Sequence, residues 1–308
     1  MTDEEFHALR PSAFAIAYRM LGSVSEAEDV VQEGFLRLHR AREDGARIES
    51  PRAYLATVVS RLALDQLRSA RARRETYVGE WLPEPLIDAT AEDPARRAEM
   101  ADSLSLAFLV LLESLTPEQR AAFLLHDVFD EPYHRIAEVI GTSEQNARQL
   151  AARARRHVDD GRPRFEASRA EQAQLADRFL AAAEEGDLEG LEALLAADVV
   201  LHTDSGGKAP SIKRAVHGRT KVARTLVAGL RAGSRLGGFT TRREEVNGQA
   251  GAVFLDHEGR LAGVIILDIT DGQIQTVRSI VNPDKLRHLG PVADLQGLLR
   301  ARSGRPSP

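Results

Sequence analysis

Apolar positions recur at intervals of three and four residues through the first 160 residues, with few glycines and no alternating stretch before about residue 198. That period belongs to amphipathic helices, so the N-terminal half is predicted to be helical. Ser25 followed by Glu28 reads as a capping box that opens one helix, with Ala27, Val30, Val31, Leu38 and either Phe35 or Leu36 as its inward stripe. Ser50-Pro51, a cap with proline in the first turn, opens another, whose buried face is Leu55, Val58, Val59, Leu62 and Leu67. Further along, a short helix after Pro132 ends at Gly141, and Thr142 with Gln145 is expected to cap a longer one running through Arg156. Two helices joined by a three-residue glycine turn make a helix-turn-helix, with small Ala137 at the crossing and Ala147 and Leu150 turned inward.

Beyond residue 165 the pattern becomes mixed. Helices are expected near 169–185, 187–196 and 218–232, and strands at 198–204, 241–247, 250–257, 260–270 and 273–281. Turn signals at Asn247-Gly248, Glu258-Gly259 and Asp271-Gly272 separate the last four strands, the spacing of an antiparallel meander. Two breaks divide the chain. One spans 75–102, with prolines at 83, 85 and 94 and eight acidic against two basic residues, a net charge of −6; the other is Asp159 to Arg164. The predicted organisation is therefore a helical domain over 1–74, an acidic linker over 75–102 and a helix-turn-helix domain over 103–160. An α+β domain over 166–290 and a flexible tail over 291–308 follow.

A length of 308 residues fits two domains, or three small ones. The formal charge of −5 excludes a uniformly basic nucleic-acid coat but allows local basic patches. With no cysteine there is no disulfide, thiolate metal site or cysteine nucleophile. The acidic start lacks the pattern of a signal peptide, and no apolar run approaches the roughly 20 residues of a membrane span, so a cytoplasmic protein without a membrane partner or cofactor is expected.

Local charge points to nucleic acid. From Arg52 to Arg74 there are six arginines, at 52, 61, 68, 71, 73 and 74, against the single acid Asp65, an imbalance suited to phosphate contact. On the second helix of the helix-turn-helix, Glu144, Gln145, Arg148 and Gln149 stand where a major groove would be read, because Arg and Gln make bidentate contacts with guanine and adenine edges. Arg153, Arg155 and Arg156 would then meet phosphates. Trp81, the one tryptophan, sits in the acidic linker, where a large aromatic needs a surface to cover it.

The order of these features resembles that of bacterial extracytoplasmic-function RNA polymerase sigma factors. Asp29 to Leu38 (DVVQEGFLRL) is similar to the polymerase-binding helix of their region 2, and Leu115 to Leu125 (LTPEQRAAFLL) to the opening of their region 4. Trp81-Leu-Pro-Glu-Pro85, Asp204-Ser-Gly-Gly-Lys208 and Asn282-Pro-Asp-Lys-Leu286 resemble the marks of a subgroup with a SnoaL-like C-terminal extension, although Ser205 replaces one of its usual three glycines.

The resemblance implies a multidomain fold of two all-α sigma domains and a C-terminal α+β NTF2/SnoaL-like cone. It implies binding of core RNA polymerase through Asp29, Gln32, Glu33 and Arg37. Arg61, Asp65, Gln66 and Arg68 would face the −10 promoter element, with Arg71, Arg73 and Arg74 on nearby phosphates and the helix-turn-helix on the −35 element. A cis-regulatory contact would join Trp81, Pro83, Glu84 and Pro85 to Asp204, Lys208, Asn282, Pro283, Asp284 and Lys285.

The NTF2/SnoaL-like cone implied by that resemblance would enclose a pocket that an unknown small ligand could enter, with His202, Asp204, His217, Asp256 and His257 as its ionisable candidates. No activated pair stands at a telling spacing among them. Two alternatives stay open on these grounds: a SnoaL-type cyclase or isomerase with a DNA-binding appendage, and a one-component repressor that senses a pocket ligand. Glycine-rich 204–208 lacks the strand and helix context of a phosphate loop and reads as a mobile surface turn.

Overall fold

A computed structural model describes residues 3–74, 76–87, 104–161, 168–235, 237–297 and 299. Two compact units result: residues 1–76 with 108–162, and residues 77–107 with 163–308.

The first unit is helical. Helices α1 (Asp3–Leu21), α2 (Val24–Glu43) and α3 (Pro51–Arg74) pack on one another, burying Ile16, Tyr18, Leu38, Leu55 and Val59. The cap of α2 is Ser23, whose Oγ accepts from the Glu26 amide at 3.2 Å, and not Ser25; the predicted box with Glu28 is replaced by an ion pair of Glu28 with Arg10 at 2.5 Å. Ser50 Oγ caps α3 as expected, accepting from Ala53 N at 3.2 Å. Where α2 crosses α3, a Cβ on Gly34 would stand 2.9 Å from Val59 Cγ2, so only glycine gives this spacing.

Helices α4 (Leu106–Leu112), α5 (Pro117–Phe123), α6 (Tyr133–Ile140) and α7 (Glu144–Gly161) follow, with a π turn at Leu124–Val128. Thr116 and Gln119 form a full capping box on α5. Gly141, in the left-handed region at φ 77°, ends α6 and lets the chain turn into α7. Ser143 Oγ accepts from Asn146 N at 3.2 Å and so caps α7, in place of Thr142. The buried stripe of α7 is Ala147, Ala151, Ala154 and Val158, with Leu150 half-buried beside it.

In the second unit α8 (Arg169–Glu185) and α9 (Leu188–Leu194) lead into β1 (Leu195–Asp204), the short β2 (Val216–His217) and α10 (Arg219–Arg235). β3 (Thr240–Val246), β4 (Gln249–Leu255), β5 (Leu261–Thr270) and β6 (Gln273–Ile280) then form the expected antiparallel meander. The sheet order is β2-β1-β6-β5-β4-β3, and β1 lies parallel to β6, pairing His202 with Arg278 and Asp204 with Ile280. Strand β1 begins at residue 195, inside the span expected for a helix, because Leu195, Ala196 and Val199 are needed in the sheet core. A last turn, α11 (Pro283–Leu286), is capped by Asn282. Residues 291–293, expected in a flexible tail, pack instead: Val292 bridges Leu261 and Ala293 is buried. No helix of the described residues is long and apolar enough to cross a membrane.

Candidate functional site

The outer face of α2 carries Asp29, Gln32 and Arg37 exposed and Glu33 half-exposed, with Arg37 Nε 2.7 Å from Glu33 Oε1. Phe35 takes the inward place, and Leu36 stands 43% exposed among these polar groups. Leu36, which periodicity could not assign, is thus an exposed apolar side chain set among charged ones.

On α3, Arg61, Asp65 and Arg68 are exposed and Gln66 is half-buried beside Glu26. The helices that follow residue 116 reach this face. Arg61 Nη2 donates to the Glu138 carbonyl at 3.1 Å, and Arg68 Nε donates to Glu118 at 3.0 Å. The side chains of Arg71, Arg73 and Arg74 lie outside the described residues.

Beneath that contact sit two buried guanidiniums. Arg120 donates to the Arg19 carbonyl at 2.9 Å and to Glu113, while Arg19 donates to the Ala15 carbonyl and lies over the Phe129 ring. Desolvation lowers Arg120 to about 9 and Arg19 to about 10. The donation of Arg120 to the Arg19 carbonyl ties α5 to the end of α1.

On α7, Glu144, Gln145, Arg148, Gln149, Arg153 and Arg156 are exposed on one side. Arg148 pairs with Glu144 at 3.0 Å and lies over the Tyr133 ring, so its guanidinium is held in place on this exposed side. Arg155 instead pairs with Asp127 at 2.6 Å, which raises its pKa and commits it within the fold.

Segment 77–87 packs on the second unit. Asp204, fully buried at the end of β1, is its centre: Tyr77 Oη donates to Oδ1 at 2.6 Å, Leu82 N to Oδ2 at 2.8 Å and Lys285 Nζ to Oδ2 at 2.6 Å. Lys285 also donates to the Leu82 carbonyl and lies 4.1 Å from the Trp81 ring centroid, a desolvated cation–π contact. Asn282 Nδ2 donates to Tyr77 Oη at 2.7 Å, and His202 meets Glu80 at 3.2 Å. Burial, then the hydrogen bond to Asp204, raises the Tyr77 phenol well above its ordinary value of 10. Pro83, Glu84 and Pro85 are buried, with the Pro85 carbonyl 2.7 Å from His288 Nε2.

The 204–208 turn is thus a docking surface and not a free loop. Gly206 and Gly207 both have positive φ, and a Cβ on Gly206 would stand 2.4 Å from Asn282 Nδ2 and 3.0 Å from Tyr77 Oη. Ser205 has no positive φ, so serine costs nothing there. Lys208 pairs with Asp284 and not with the Trp81 segment, and Pro283 supplies the first turn of α11.

A second anchor was not legible in the sequence. Asn247, in the left-handed region at φ 53° and buried, accepts from Leu86 N at 2.8 Å and donates to the Leu104 carbonyl at 2.9 Å. Gln249 accepts from Leu106 N at 2.7 Å and donates to Asp268, which Arg278 also holds. The Asn-Gly signal gave the turn but not its use.

Of the ionisable candidates, His202 and Asp204 serve the docked segment. Asp256 closes its own turn: burial works against its charge, but donations from Arg260 and Glu258 hold it below the usual carboxylate range. His217 and His257 are exposed, and none of the five lines the cavity of this unit.

Residues 6–73 match Sigma-70 region 2, residues 105–158 Sigma-70 region 4 and residues 176–277 the SnoaL-like domain family. The chain belongs to the extracytoplasmic-function RNA polymerase sigma factors, which direct polymerase to promoters, and it carries a SnoaL-like domain after the two sigma regions. It is similar to ECF RNA polymerase sigma factor SigJ of Mycobacterium tuberculosis, 43% identical over 296 residues, 92% of this chain and 93% of that protein. The crystal structure of SigJ matches with a TM-score of 0.74 at 39% identity, covering 95% of this chain and all of that one. The probable ECF sigma factor SigI of the same organism is 34% identical over 273 residues, 88% of this chain and 90% of its own. These relatives are named as sigma factors, so the sigma-factor reading stands ahead of the cyclase and repressor alternatives.

Proposed function

We propose that this sigma factor works in the cytoplasm on core polymerase and promoter DNA, and that its C-terminal domain controls it in cis by holding segment 77–85. Asp29, Gln32, Glu33 and Arg37, with Leu36 among them, form the polymerase face. Arg61, Asp65, Gln66 and Arg68 meet the −10 element, with Arg71, Arg73 and Arg74 nearby, and the exposed side of α7 reads the −35 element. In functional terms residues 1–74, 103–160 and 166–290 are the three domains, with 75–102 between the first two.

The observation that carries the regulatory reading is Asp204. A buried carboxylate that receives Tyr77, the Leu82 amide and Lys285 at once is a committed interaction, because removing the Lys285 cation leaves its charge uncompensated at a cost of about 3–5 kcal/mol. The contacts of Arg61 and Arg68 with Glu138 and Glu118 support a further step: the −10 face is engaged by region 4 here and has to be released for promoter capture. A small ligand in the C-terminal cavity is a natural input to such control.

Core polymerase binding by the full chain tests the partner assignment. Co-purification is expected for the wild type and is expected to weaken when Asp29 and Leu36 are replaced; failure of well-folded wild type to bind would reject it.

A further inference from the structure

Between Ser205 and Arg235 the sequence carries eight basic residues and no acidic one, and three of the protein's four lysines fall there. The overall charge is −5, so this stretch is a local reversal of sign. Helix α10 sorts part of it onto one face. Lys221, Arg224 and Arg231 follow at intervals of three and seven residues, which at 3.6 residues per turn puts them on one side over about 15 Å. All three are exposed, while Val222, Ala223, Leu226 and Val227 fill the opposite side and enter the core of this unit. Lys213 and Arg214, exposed as well, stand just before β2, which leads through Gly218 into α10.

Exposed arginines elsewhere meet carboxylates, as Arg37 does Glu33, Arg148 does Glu144 and Arg243 does Asp177. Among the described residues Lys213, Arg214, Lys221, Arg224 and Arg231 have no ion-pair partner. Helix α9 packs on α10 and brings Glu192, but that carboxylate meets the Thr220 hydroxyl at 3.0 Å. Like charges on adjacent turns of a helix repel, so a row of cations without counter-charges suits an outside polyanion. The residues exposed between them, Ala228, Gly229 and Ala232, offer no side-chain donor to a base edge and no ring on which an unpaired base could stack. What remains is attraction to the phosphates of a duplex, whose charges recur about every 1.7 Å of axis.

Chain length brings such a duplex within reach. Residues 162–167 join the end of α7 to the Ser168 cap of α8, a span of at most about 25 Å. With α7 on DNA, a tether this short supplies the C-terminal domain at about millimolar effective concentration. Sequence-independent contacts have dissociation constants of roughly 10⁻⁴–10⁻⁶ M, so such contacts would be well occupied.

We propose that the outer face of α10, with Lys213 and Arg214, is a third DNA contact of this sigma factor, gripping the phosphates of the duplex that flanks the helix-turn-helix. Its place on the promoter rests on the reading of α7 as the −35 helix; its affinity for duplex phosphates stands on the charge pattern alone.

The test is a salt titration of the full chain on a fluorescent duplex of about 40 base pairs and arbitrary sequence, read by anisotropy. Each phosphate contact contributes about 0.9 to the slope of log K against log salt, so Lys221→Gln, Arg224→Gln and Arg231→Gln together are expected to lower that slope by about two to three. Binding should weaken alike on duplexes of different sequence, and Arg224→Gln alone should show about a third of the fall in slope. Exchanging the cations, with Lys221→Arg, Arg224→Lys and Arg231→Lys, is expected to preserve binding. Arg169→Gln, Arg242→Gln and Arg243→Gln remove three exposed charges from α8 and β3 and should leave the slope nearly unchanged. An unchanged slope in the α10 variant, an equal fall in the α8 and β3 variant, or a loss confined to binding of phosphatidylglycerol vesicles would overturn the proposal. Failure of the −35 reading is separable: Arg148→Ala would then leave the preference among promoter sequences unaltered, whatever the α10 variant does.

Discussion

Leu36 shows what a single residue adds that a pattern cannot. Helical periodicity allowed either Phe35 or Leu36 inside, and packing of α1 resolves it, because Phe35 lies 4.6 Å from the Phe6 ring and leaves Leu36 outside. Replacing Leu36 by Asp should leave folding intact and weaken polymerase binding roughly five- to thirty-fold, the effect of losing ~1–2 kcal/mol at an interface hot spot; binding titration with core polymerase checks it, and an unchanged affinity would count against the assigned face. On α7, Arg148→Ala should cost about 1–3 kcal/mol and relax sequence preference at one position of the −35 element, whereas Arg153→Ala should weaken all sequences alike and shallow the salt dependence. Competition binding across single-base variants distinguishes the two. Tyr77 carries the pH dependence. Its held phenol ionises well above the released one, so the hold on 77–85 is fully present below pH 10 and is lost as pH rises beyond that. Acrylamide quenching of Trp81 should increase above pH 10 in the wild type and be flat there in Tyr77→Phe; identical profiles would contradict the assignment.

At the level of elements, local chemistry was legible and long-range use was not. The glycine turn at 141, the Ser50-Pro51 start and the four-strand meander follow from short-range signals and stand where the sequence put them. Both other caps moved, by two positions from Ser25 to Ser23 and by one from Thr142 to Ser143, and the register of the buried stripe decides between them. Parallel pairing of β1 with β6 joins residues some 75 positions apart, and nothing in either strand alone announces it. Asn247 and Gln249 were missed for the same reason, since their partners at 86, 104 and 106 lie far away in the chain. The α2–α3 crossing gives a direct check. Gly34→Leu should overpack against Val59 and cost about 1–3 kcal/mol, with part of the loss recovered by adding Val59→Ala. Thermal denaturation of the single and double variants measures this, and purely additive losses would show that the two side chains do not meet.

For the whole molecule the net charge of −5 averages opposite elements: arginine-rich α3 and α7, and an acidic stretch between residues 75 and 102. Its described part does not behave as a simple spacer. Residues 77–87 pack with the C-terminal half, and Asn247 ties Leu86 and Leu104 to the same turn. Sequence order therefore places the segment between the two sigma regions, while packing assigns it to the SnoaL-like domain, and that double membership is what makes control in cis physically available. Run-off transcription by core polymerase with the full chain tests this most directly, comparing the wild type with Lys285→Met, which removes the cation from Asp204 and Trp81 while keeping much of its volume. A severalfold change in transcript from the same promoter, with polymerase affinity unchanged, is the expected result; equal transcript yields from the two proteins would contradict cis control by the C-terminal domain.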